Sequence, residues 1–112
     1  FMSELENLIG HLQMQNQQLQ SLMMQKQTLM MQSKEIEKAL EHVELATDDI
    51  YRSVGPILIK TSASDVKSQL GEEKEELEIK IKTLESQEKR LKDKLKENQE
   101  KIQNMMPAGQ GG

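Results

Sequence analysis

The 112-residue chain is only 35% hydrophobic and has Phe1 and Tyr51 as its sole aromatics, too little for a self-sufficient globular core. A sequence that is 30% charged, rich in glutamine and carries eight methionines suits long helices touching along narrow seams. A formal charge of -4 argues against nucleic-acid binding through phosphates. The lack of cysteine removes disulfides, thiolate metal sites and thiol nucleophiles and fits a cytoplasmic protein.

Phe1 ahead of Met2 reads as a leftover outside the fold, and Met2 to Leu12 lacks the basic start and apolar stretch of a secretory signal. No apolar run approaches the roughly 20 residues of a membrane span. A helix is predicted over residues 4–46, which contain no proline and one glycine, Gly10. Its apolar residues recur at the heptad spacing of a helix that packs on another helix. Position a falls on Leu5, Leu12, Leu19, Lys26, Ser33 and Leu40, and position d on Leu8, Gln15, Leu22, Leu29, Ile36 and Val43.

The period then changes. Ile50 to Val54 and Ile57 to Lys60 are β-branched and apolar around Gly55-Pro56, so residues 49–61 read as a β-hairpin, with Pro56 in the turn or opening the second strand. A second helix is predicted over residues 64–106, with d at Leu70, Leu77, Leu84, Leu91, Asn98 and Met105, and a at Lys74, Ile81, Glu88, Leu95 and Ile102. Ser62 with Asp65 forms a capping-box start, and Gly71 weakens the first turns by about 1 kcal/mol. Glu76–Lys80, Glu78–Lys82, Glu85–Lys89, Glu88–Lys92 and Glu97–Lys101 are i,i+4 pairs in the favourable order, each worth roughly 0.2–0.5 kcal/mol. Residues 107–112 read as a frayed, disordered tail.

The expected fold class is mainly α: a long antiparallel two-helix coiled-coil hairpin with a short β-hairpin between the helices, one domain over residues 1–112. Letting each a position face a d position puts Leu12 against Asn98 and Lys26 against Leu84, and leaves no layer polar on both sides. A shift of one heptad does equally well. Both termini are then expected at one end of a rod and the β segment at the other. A lone two-stranded hairpin is marginal in water, so Tyr51, Val54, Ile57, Leu58 and Ile59 are the candidate oligomerisation residues, joining strands of other copies or of a related subunit.

Lys26 is the only formal charge between Asn7 and Ser33, a stretch that holds eight glutamines and Met14, Met23, Met24, Met30 and Met31. Those methionines fall off the seam. Methionine is unbranched and polarizable and repacks around apolar surfaces of different shape, as a promiscuous binding surface requires. Ile9, Leu12, Met14, Ile102, Met105 and Met106 are accordingly the candidate client-binding residues, with Leu12 and Ile102 also in the seam. Met23, Met24, Met30 and Met31 either contact clients or pack against a neighbouring helix pair.

Nothing points to an enzyme. His11 and His42 lack ligand spacing, Asp48-Asp49 fall where the first helix must stop, and no serine, histidine and aspartate form a recognisable arrangement. No catalytic residue, metal ligand or cofactor is expected.

The stretch Ile50-Tyr51-Arg52-Ser53-Val54-Gly55-Pro56-Ile57-Leu58-Ile59-Lys60 between two helices resembles the β-type subunits of the prefoldin family. So do Gln25-Lys26-Gln27 and Leu84-Glu85-Ser86-Gln87-Glu88-Lys89-Arg90. The short single-hairpin form is similar to archaeal members. The resemblance implies a hexamer of α-type and β-type subunits whose hairpins join into β-barrels. It also implies ATP-independent capture of unfolded polypeptides at the coil tips and delivery to a group II chaperonin. The methionine density of the first helix departs from the family pattern. The rival expectation is a structural coiled-coil oligomerisation scaffold without client binding.

Overall fold

The computed structural model describes residues 2–106, the side chain of Met2 excepted; Phe1 and the predicted tail at 107–112 lie outside the described residues. The chain forms α1 (Met2–Leu45), β1 (Ile50–Val54), β2 (Ile57–Thr61) and α2 (Ala63–Met105). This is the expected class, two long helices with a short antiparallel β-hairpin between them.

Burial along α1 follows the heptad. Every a and d position from Leu5 to Val43 is buried or half-buried, and between them only Ala39 is also withdrawn from solvent. In α2 the a and d positions from Leu70 to Ile102 are likewise buried or half-buried, with Gly71 and Glu73 also partly withdrawn, while Met105, the last d position, is exposed. One seam shields only one side of each helix, so few side chains are fully covered; Val66, Leu95 and Ile102 are the buried apolar ones.

The described residues form two compact units: a terminal unit made of the residues before Gln27 together with those from Thr83 onward, and a hairpin unit, Gln27–Lys82. In the terminal unit Asn98 Nδ2 donates to Gln15 Oε1 at 2.8 Å, and Lys26 Nζ donates to Glu88 Oε2 at 2.8 Å. Leu22 and Leu91 border one groove. Position a therefore meets a, and d meets d. This corrects both expected registers, which set each polar residue against an apolar one. The physical reason is that a half-buried polar group left facing leucine loses its hydrogen bonds to water without replacement, whereas two complementary polar groups in one layer satisfy each other. The same d-to-d pattern holds in the hairpin unit, where Ile36 shares a groove with Leu77.

Ser62 starts α2 by accepting a hydrogen bond at Oγ from the Asp65 amide at 3.0 Å, while its carbonyl takes the Val66 amide at 3.1 Å. The helix runs through Gly71. In the hairpin, Val54 pairs with Ile57 around a two-residue turn. Gly55 there has φ +57°, a left-handed conformation that glycine adopts without strain, and Pro56 follows with its ring-fixed negative φ. Glycine first and a negative φ second is the pattern of a type II′ turn, whose twist matches that of the flanking strands.

Candidate functional site

Two sets of apolar side chains remain on the surface, one in each unit. In the terminal unit α1 contributes Ile9, Leu12 and Met14, and the last turns of α2 contribute Ile102, Met105 and Met106. Ile9, Met14, Met105 and Met106 are exposed, Met14 to 56%. Leu12 is half-buried and Ile102 is only 8% exposed. The Gln15–Asn98 bond places these two in the adjacent layer of the seam, so they support the exposed residues from beneath and offer little surface of their own. Met23 and Met24 are exposed in the same unit, and Met30 and Met31 are exposed in the hairpin unit.

The electrostatics of this face rest on Lys26. It is the single formal charge between Asn7 and Ser33, and its ammonium is turned to the Glu88 carboxylate, which is 8% exposed. Lys92 reaches the second oxygen of Glu88 at 3.1 Å. The hydrogen bond from Lys26, with that from Lys92, holds the Glu88 carboxyl below the usual glutamate range despite its burial. The hydrogen bond to Glu88 likewise raises Lys26 above the usual lysine value. The outward side of α1 in this stretch is consequently neutral, which lowers the cost of stripping water from it when an apolar chain docks.

In the hairpin unit the alternation of strand side chains divides the sheet into two faces. Ile50, Arg52 and Val54 share one with their partners Thr61, Ile59 and Ile57; Tyr51 and Ser53 share the other with Lys60 and Leu58. Ile50, Arg52 and Thr61 are half-buried. Tyr51, Val54, Ile57, Leu58 and Ile59 are all exposed, Leu58 to 71%. Two strands have two open edges, so apolar side chains and unpaired backbone groups are presented together.

Arg52 went unnoticed in the sequence. Its guanidinium hydrogen-bonds Gln69 and reaches Glu73 Oε1 at 2.9 Å, tying β1 to the first turns of α2. The available signal was a cation within an apolar strand and two acceptors four residues apart on the following helix. Glu97–Lys101 closes as an ion pair on the outer face and Lys92 reaches from that face to the seam residue Glu88, whereas Glu78 is approached by the seam residue Lys74, which also reaches Glu37 of α1 at 3.3 Å. Among the described residues no group of three or more acidic, histidine or cysteine side chains is placed to hold a metal. No helix among them is long and apolar enough to cross a membrane.

These features define a class: helical hairpins that meet along a single heptad seam and carry a two-stranded β linker. The family model described as "Prefoldin subunit" matches residues 6–108, and the chain belongs to the prefoldin family. Among solved structures it is similar to the prefoldin beta subunit from Thermococcus strain KS-1, with a TM-score of 0.87 and 34% sequence identity over 93% of this chain and 95% of that one. No curated protein matches the chain. Family membership and the structural likeness support a prefoldin-type chaperone role and imply assembly with other prefoldin subunits; the family is one of chaperones and not of enzymes.

Proposed function

We propose that the chain is a β-type subunit of an archaeal-like, cytoplasmic prefoldin hexamer, an ATP-independent holdase. Its hairpin residues Tyr51, Val54, Ile57, Leu58 and Ile59 join strands of an α-type subunit and of other β copies in a β-barrel. Ile9, Met14, Met105 and Met106, backed by Leu12 and Ile102, bind unfolded polypeptides, which are then passed to a group II chaperonin. Each coil binds weakly, and several coils of one assembly acting together raise the effective concentration enough for capture.

The observation that carries this reading is the exposed, methionine-bearing apolar surface of the terminal unit, in a chain of the prefoldin family. A stable subunit contact would favour side chains of fixed shape, whereas clients of unrelated sequence favour ones that repack.

The test is suppression of aggregation of a chemically denatured protein by the assembled hexamer. The variant combining Ile9→Ser, Met14→Ser, Met105→Ser and Met106→Ser is expected to lose that protection while native mass shows the same hexamer. Unchanged protection in that variant overturns the client assignment and favours a scaffold whose Met23, Met24, Met30 and Met31 pack between subunits.

A further inference from the structure

We propose that Met14, Met105 and Met106 form a peroxide-sensitive site, at which oxidation to methionine sulfoxide lowers client capture while the coiled coil stays folded. The inference rests on the holdase reading and deepens it by adding a means of regulation.

Three observations point there. The thioethers are accessible: Met14 is 56% exposed, Met105 39% and Met106 42%. The seam is built almost wholly of residues that peroxide does not attack. Of its assigned positions only the last, Met105, is methionine, and this one is exposed, whereas the seam's buried apolar members are Leu95 and Ile102. The apolar side chains of the candidate client surface other than these three methionines are Ile9, Leu12 and Ile102, so a large share of its adaptable area is oxidisable.

The chemistry is self-contained once a peroxide is supplied. The sulfur lone pair attacks one peroxide oxygen, the O–O bond breaks and an S–O bond forms. The sulfur is oxidised by two electrons, and the peroxide is reduced to water after picking up the proton its transferred oxygen released. The product is a polar, chiral sulfoxide that methionine sulfoxide reductases return to the thioether. A sulfoxide dipole must be stripped of water before an apolar segment docks against it, a cost the thioether does not impose. In the seam the same change would break packing. At these exposed positions it alters only what the surface presents.

The experiment treats the full chain in its native assembly with hydrogen peroxide and maps oxygen addition by peptide mass spectrometry. Aggregation suppression and helical circular dichroism are then measured before treatment, after it, and after incubation with methionine sulfoxide reductases. The expected result is oxygen on Met14, Met105 and Met106 and client affinity weakened by roughly tenfold, reversed by the reductases, with helix content unchanged. The variant M14L/M105L/M106L is compared with its own untreated level of protection, whatever that level is: peroxide should cause no further loss in it, even though Met23, Met24, Met30 and Met31 are still oxidised. The proposal is overturned by no oxygen on the three methionines, by full protection despite it, or by an equal loss in the leucine variant. A fall in helix content with oxidation also overturns it, since the damage would then be to the fold. An untreated chain that never protects a client sinks the holdase reading instead, and is recognised because the deficit precedes any peroxide.

Discussion

The terminal and hairpin units both leave apolar side chains in solvent, but they do so with different chemistry. The terminal unit displays unbranched methionines on a helix whose backbone hydrogen bonds are internally satisfied. The hairpin unit displays Val54, Ile57 and Ile59, stiff at χ1, beside Tyr51 and Leu58 on strands with open edges. A strand edge demands a partner that supplies hydrogen bonds in register, so it favours one repeated neighbour. A helix face makes no such demand and tolerates many shapes. The difference teaches that exposed apolar area is not one kind of signal: the backbone beneath it decides how selective the surface is.

The strongest way to break the comparison is to charge the hairpin. Ile57→Lys with Leu58→Lys is expected to abolish assembly and leave a chain with unchanged helix content, read by native mass and circular dichroism. Both side chains are already exposed in the single chain, so its own packing loses little. Retention of the full assembly would show that the edges are not the joining surface.

A smaller effect is expected from the Lys26–Glu88 pair, which belongs to the terminal unit alone. Glu88 ionises more readily in the folded chain, so its contribution is fully present above the ordinary glutamate value of 4.5 and is lost as pH falls through the lower folded value. Lys26 holds its proton more tightly when folded, so its contribution is complete below 10.5 and is lost as pH rises through the higher folded value. The pair therefore stabilises the seam across the window between those limits. Glu88→Gln should lower the melting temperature throughout it and flatten the decline on acidification, as checked by thermal melts at stepped pH. An acid limb as steep as that of the parent chain would assign it to other carboxylates.

The smallest expected change sharpens the hairpin side. Gly71 lies within α2, and a methyl group built there meets no other atom within 4 Å. Gly71→Ala should raise stability by about 1 kcal/mol in urea titration, with no effect on assembly or client capture.

The heptad made the fold legible. From Leu5 to Val43 the positions assigned to the seam are the ones withdrawn from solvent, and Gly55-Pro56 marks the turn where the strands reverse. Register was not legible, because a stripe identifies which side of a helix packs without saying what lies across from it. Avoiding doubly polar layers led to the wrong alignment. Gln15 and Asn98 are both amides, and Lys26 and Glu88 are opposite charges, so like layers satisfy one another better than mixed ones. Exposure of Ile9, Met14, Met105 and Met106 followed from their place off the seam or at its end. The burial of Ile102 follows from the layer it shares with Leu12. The role of Arg52 stayed hidden because its partners, Gln69 and Glu73, belong to another element and only the fold brings them near.

Lys26 leaves one more mark. By folding its cation into the seam, the stretch of α1 between Asn7 and Ser33 keeps no unengaged formal charge to project into solution. That stretch adds no long-range pull or push of its own to the field of the charged second helix, and its own influence begins at touching distance. Dissolved ions have little to screen on that side of α1, so adhesion there should lose less to added salt than a contact made through the charged side chains of α2.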